Sequence, residues 1–152
     1  MAAQRNSEYD RVKDDLYITP RWVYEKLYTV EPWAEKAFDC APVNKPDYDF
    51  LKDLGPFFDG VCTNPPFKFA DKFIKHSLGY CVKYAFLLPY TFDAAASRVD
   101  MFAWPFKARY NITRRIRWDN LEQKKNGPST NHAWYVWDKS LSLFTKPVVG
   151  WL

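Results

Sequence analysis

Asn64-Pro65-Pro66-Phe67 is the segment of this chain whose residue types and order suit a definite chemistry. An aromatic exocyclic amine is a poor nucleophile, because its lone pair is spread into the ring. Two acceptors set on its two hydrogens favour the tetrahedral nitrogen that bond formation needs. Asn64 brings a neutral side-chain oxygen, and the backbone carbonyl of Pro65 brings a second. Pro65 and Pro66 stiffen the segment and carry no N–H to compete for those acceptors. Phe67 adds an apolar face on which an extruded base stacks. A methyl group delivered from a sulfonium carries its own activation. Such a site needs positioning and electrostatics, with no strong base and no metal. The plainer reading of these four residues is a rigid turn. Their place directly after Gly60-Val61-Cys62-Thr63 favours the functional one.

The elements that must hold this segment can be read outward from it. Phe57 to Thr63 predicts a strand, and two prolines put the motif at its C-terminal end. Phe69, Phe73, Ile74 and Leu78 give helical spacing over 69–79, with Gly79 as the stop. Tyr84 to Leu88 is a continuous apolar run before Pro89-Tyr90, the pattern of a strand buried on both faces. Upstream, Thr19 suits an N-cap and Pro20 a first helical turn, predicting a helix over about 20–29 that Pro32 limits. Ala37 to Ala41 predicts a short buried strand ending at Asp39, and Asp49-Phe50-Leu51 a short element after a loop. Downstream, 94–104 reads as a helix or lid, 107–118 as a strand, 122–131 as a polar loop and 133–137 as the last strand, before an irregular end.

Strands alternating with helices imply an α/β sandwich with a mostly parallel central sheet. Ligands of such sheets bind beyond the C-terminal ends of the strands. Asp39, Asn64 to Phe67 and Pro89-Tyr90 all fall there, so three strand ends point to one crevice.

The 152 residues fit one domain, predicted over 15–152 behind a polar, flexible leader at 1–14. Net charge is +4, which permits a nucleic-acid partner without requiring one. Its distribution is more telling. Between Lys107 and Lys125 lie seven basic residues (Lys107, Arg109, Arg114, Arg115, Arg117, Lys124, Lys125) against two acids, Asp119 and Glu122. They read either as a phosphate track or as a solvated face. Cys40, Cys62 and Cys81 are widely spaced, and His76 and His132 stand outside any zinc pattern, so a metal is not expected. Free thiols, no apolar leader and no apolar run near ~20 residues predict a cytoplasmic protein without a membrane span.

Six segments in order resemble the phage-type DNA N6-adenine methyltransferases, a Rossmann-like group: Asp15 to Pro20, Phe38 to Ala41, Asp49 to Leu51, Asn64 to Phe67, Phe86 to Pro89, and Arg115 to Trp118 with His132 to Trp137. The resemblance implies a trimmed Rossmann-like sandwich that uses S-adenosylmethionine to methylate adenine in DNA. Asn64, Pro65, Pro66 and Phe67 would be catalytic. Tyr17, Thr19, Pro20, Asp39, Ala41, Asp49 and Phe50 would hold the cofactor, with Asp49 on its adenine amine. Lys68, Tyr90, Arg114, Arg115, Arg117, Lys124 and Lys125 would meet nucleic acid. The host would be a bacterial cytoplasm if the chain is phage-encoded, and the enzyme a monomer or homodimer. No segment is long enough for a separate target-recognition domain, so relaxed or very short target recognition, or help from a second subunit, is expected. Two departures are visible. No glycine follows Asp39, and only 25 positions separate Asp39 from Asn64. They leave open a non-catalytic nucleic-acid- or cofactor-binding module, as well as an acceptor in RNA, cytosine or protein glutamine.

Overall fold

The computed structural model describes residues 17–41, 49–52, 58–118 and 130–152. The predicted leader, the loops at 42–47 and 55–56, and Lys124 and Lys125 lie outside them. A five-stranded sheet organises the rest, in the order β1-β2-β4-β3-β5. Its strands are β1 (Phe58–Thr63), β2 (Cys81–Pro89), β3 (Phe106–Asn111), β4 (His132–Asp138) and β5 (Val148–Trp151). β1 and β2 are parallel, β4 is antiparallel to both of its neighbours, and β3 and β5 are parallel. Four strands therefore run one way and β4 alone is reversed. The expected mostly parallel α/β sheet is borne out at that level.

Helix α1 (Arg21–Tyr28) and helix α2 (Ala70–Tyr80) cover opposite faces. The central strands show why both faces must be covered. Tyr84, Phe86 and Leu88 of β2, with Ala133, Tyr135 and Trp137 of β4, pack towards Phe73 and Ile74 of α2. The intervening Ala85 and Leu87, with Trp134 and Val136, pack towards Val23 and Leu27 of α1. A period of two with apolar residues on both sides gives an unbroken apolar run. α2 is the crossover joining β1 to β2, and it stops one residue beyond Gly79.

Several expectations change in detail. Pro20, not Thr19, is the N-cap of α1, and no side chain caps that helix. The strand expected over 37–41 shrinks to one parallel bridge, Phe38 to Val61. Its two bonds run from Phe38 N–H to Gly60 O (3.0 Å) and from Cys62 N–H to Phe38 O (3.0 Å). Residues 92–102 form two 3-10 segments, Phe92–Ala94 and Ala96–Phe102, where a helix or lid was expected. The strand expected over 107–118 ends at Asn111, and the segment expected to be irregular contains β5.

Candidate functional site

β1 delivers Asn64 to the C-terminal edge of the sheet, and the 3-10 turn Phe67–Phe69 leads from there into α2. That turn is closed through Pro66 O, which accepts from Phe69 N–H at 2.9 Å, so the Pro65 carbonyl is not its acceptor. Pro65 is buried, Asn64 and Pro66 are half-buried, and Phe67 remains 45% exposed. The motif is thus a rigid base with an open aromatic tip.

Asn64 is oriented by the segment before α1. Its Nδ2 donates to Thr19 Oγ1 at 3.1 Å. The hydroxyl that sequence logic assigned to a helix cap is therefore used 45 residues away. A carboxamide that donates through nitrogen keeps its oxygen for another partner. Thr19 also hydrogen-bonds the side chain of Tyr24, a buried phenol whose pKa is pushed well up by burial and then by the charge of Asp39. Beside Asn64, the Thr63 hydroxyl donates to Asp39 Oδ1 at 2.7 Å, and Ala41 N–H donates to the same oxygen at 3.0 Å. Asp39 is exposed, and its Oδ2 has no partner among the described residues. One polar chain thus runs Tyr24, Thr19, Asn64, and through the adjacent Thr63 to Asp39. Tyr24 and Thr63 were not singled out in the sequence, because neither stands in a motif.

The same edge gathers further predicted residues. The single Tyr135 O–H is shared between Pro89 O (3.1 Å) and Tyr90 O (3.0 Å), pinning the end of β2. Burial raises that phenol to about 12. Tyr90 itself is 51% exposed. Phe67 meets Phe92 edge-on at 6.4 Å. Tyr17 packs on Trp118 at 5.3 Å, and Trp118 meets His132 edge-on at 5.1 Å. Burial pushes His132 down to about 4, a structural histidine held neutral. Cys40 and Cys62 are free, buried thiols, and burial raises both.

Two groups of expected residues behave differently. Among the described residues Asp49 closes only its own turn, accepting from Leu51 N–H at 3.1 Å and pairing with Lys52 at 3.1 Å. Its carboxyl sits below the usual range, chiefly because Lys52 donates to it. Phe50 is 1% exposed and packs on Phe58, Phe73 and His76. Its ring is core, not a stacking face. Among the described residues neither one touches the Asn64 cluster. An open cavity of about 470 Å³ beside them is lined by Leu51, Lys72, Lys75, His76, Gly79 and Tyr80, with no member of that cluster.

The basic stretch also divides. Lys107 pairs with Glu31 at 2.8 Å and Arg109 with Asp93 at 2.6 Å, so both serve the fold. Arg114, Arg115 and Arg117 follow the C-terminal end of β3 and are exposed. Arg114 lies over Trp22 at 5.2 Å, and Arg115 Nε donates to Asn131 Oδ1 at 3.2 Å. Lys68, also exposed, lies 4.9 Å from the Phe69 ring centre. β3 runs parallel to β1, which sets these arginines at the same sheet edge as Asn64.

No protein-family model matches the chain, and a search of the curated proteins finds no match. Among the described residues no group of His, Cys, Asp and Glu is arranged to hold a metal ion, and no helix is long and apolar enough to cross a membrane.

Proposed function

We propose that the chain is a group-transfer enzyme acting on an aromatic amine at the C-terminal edge of its sheet. In particular, we read it as an S-adenosylmethionine-dependent methyltransferase of the adenine amino group in DNA, with a trimmed Rossmann-like fold. The observation that carries the reading is the Asn64–Thr19 bond. It fixes the carboxamide nitrogen inward and reserves Oδ1 for a donor, as a base amine requires.

The residues present fit the amino-acid half of the cofactor. Asp39 offers a second carboxylate oxygen at a strand end, suited to an ammonium, with Thr19, Pro20, Tyr17 and Ala41 nearby in the chain or the fold. When bound, the cofactor supplies an electrophilic methyl on a sulfonium. The protein's own part is to hold the amine. Asn64 Oδ1 and the Pro65 carbonyl accept its two hydrogens, drawing the lone pair out of the ring. Phe67 and Tyr90 give the extruded base apolar surface, which excludes water. Arg114, Arg115, Arg117 and Lys68 meet phosphates.

Among the described residues the adenine half of the cofactor has no such support, since Phe50 is core and Asp49 bonds its own turn. That favours a second reading, a binding module without turnover. Transfer of a tritiated methyl group to unmethylated DNA tests the first. Activity is expected, and Asn64→Ala is expected to lower it at least ~100-fold with circular dichroism unchanged. Full activity in Asn64→Ala sinks the mechanism. Calorimetry showing no cofactor binding at millimolar concentration favours the second reading.

A further inference from the structure

β5 ends the sheet, and its outer side meets no strand among the described residues. The direction of its backbone groups is fixed by three residues. Leu152 N–H donates to Asn111 O at 2.9 Å, and Thr113 N–H donates to Leu152 O at 3.1 Å. Leu152 therefore turns both backbone groups towards β3. These directions alternate along a strand, so Gly150 and Val148 also face β3. Val149 and Trp151 are left with N–H and C=O pointing outward.

Apart from being short, that edge carries little of the usual protection. Residues 147–152, Pro-Val-Val-Gly-Trp-Leu, hold no charged side chain, and the single proline precedes the strand. The side chains are apolar and open: Val148 is 53%, Val149 49% and Trp151 69% exposed. In the turn that leads into β5, Leu143 is 69% and Phe144 91% exposed. A partner strand on this edge would cover Val148, Val149 and Trp151 first, and Leu143 and Phe144 extend the apolar surface beyond the start of the strand.

We propose that this edge pairs with the same edge of a second copy, antiparallel about a two-fold axis through Gly150. Each Val149 then lies opposite the partner's Trp151, and the two exchange both backbone hydrogen bonds. Val149 and Trp151 share one face of the strand, so each valine packs on the partner's indole. Gly150 sits on the axis and brings no side chain to the meeting of the two strands. Its Cβ position is already filled, because a methyl there would come within 2.8 Å of the Tyr110 ring. The strand's neutrality decides the occupant. A nucleic acid needs cations at its backbone, and residues 147–152 offer none. An isologous pair needs only self-complementarity. The product is a continuous ten-stranded sheet whose two C-terminal edges point in opposite directions.

Sedimentation of the 152-residue chain from ~1 to ~100 µM is expected to show a monomer–dimer equilibrium with a micromolar constant. Val149→Glu with Trp151→Glu sets like charges opposite each other across the axis. This variant is expected to be monomeric throughout, with unchanged circular dichroism. Val149→Lys with Trp151→Glu sets opposite charges across the axis and is expected to dimerise, more weakly as salt rises. A wild type that stays monomeric at ~100 µM overturns the proposal. So does a Glu/Glu variant that still dimerises, and so does a Lys/Glu variant that does not.

Discussion

Asn64 and Asp49 lie close in the chain, yet the fold holds them in opposite ways. Asn64 is tied to Thr19, and its neighbour Thr63 to Asp39, so three separate segments meet at one strand end. Among the described residues Asp49 bonds only Leu51 and Lys52. A side chain held by distant partners has its direction set by the whole sheet and keeps it when a loop shifts. A side chain held by its own turn moves with that turn. The difference separates residues the fold has preorganised from residues that a short motif only suggests.

The largest effect is expected where distant pairing is most buried. Glu31 is 1% exposed and receives Lys107, the Trp33 indole N–H at 2.7 Å and the Tyr110 hydroxyl at 3.1 Å. Burial of Tyr110, and after it the charge of Glu31, raises that phenol to about 12. Lys107→Met would strand that carboxylate, at a cost of about 3 kcal/mol in urea unfolding. A cost under about 1 kcal/mol would mean that Trp33 and Tyr110 suffice, and that long-range pairing is a poor guide here.

Asn64 and Asp49 come next. The expected loss of at least ~100-fold in methyl transfer for Asn64→Ala should be matched by less than about 3-fold for Asp49→Ala. An equally large loss at Asp49 would show that its turn reorganises around a ligand, and the contrast would break.

His132 sharpens the comparison through pH. Its folded pKa of about 4 lies below the unfolded value of about 6.5. Between those values the unfolded chain binds the extra proton, so stability is full above about pH 6.5 and falls as pH drops towards 4. Unfolding at pH 5 should cost about 1–2 kcal/mol less than at pH 7.5 on this account, and His132→Phe should flatten that slope. An unchanged slope would assign the effect to other groups.

The chain's pattern made the sheet legible and the polar chain only half so. The apolar run at 84–88 and the stripe at 73–74 predict β2 and α2 because burial on both faces, or on one, leaves a periodic trace. The Asn64 motif was readable because two prolines must end a strand. Thr19 was misread: a threonine before Pro20 satisfies the local rule for a cap, and only tertiary structure sends its hydroxyl to Asn64. The burial of Phe50 was not legible for the converse reason, since an aromatic after an acid looks the same whether it lines a pocket or fills a core. β5 left little trace because four residues with a central glycine carry too little alternation.

The smallest expected effect concerns the basic stretch, which seven letters made look uniform. Lys107 and Arg109 are taken by carboxylates, and the exposed remainder among the described residues is Arg114, Arg115 and Arg117. Phosphate contacts release counterions, so each one lost lowers the salt slope of binding by about one. Replacing all three by Ala should weaken DNA binding similarly on every sequence and lower that slope by about two to three. Each arginine neutralises one phosphate at most, and Arg114 is partly occupied over Trp22. Fluorescence anisotropy across a salt series reads both quantities. A variant whose slope is unchanged would return these arginines to the solvated face, and among the described residues Lys68 and the aromatic rim of Phe67 and Tyr90 would remain to hold the nucleic acid.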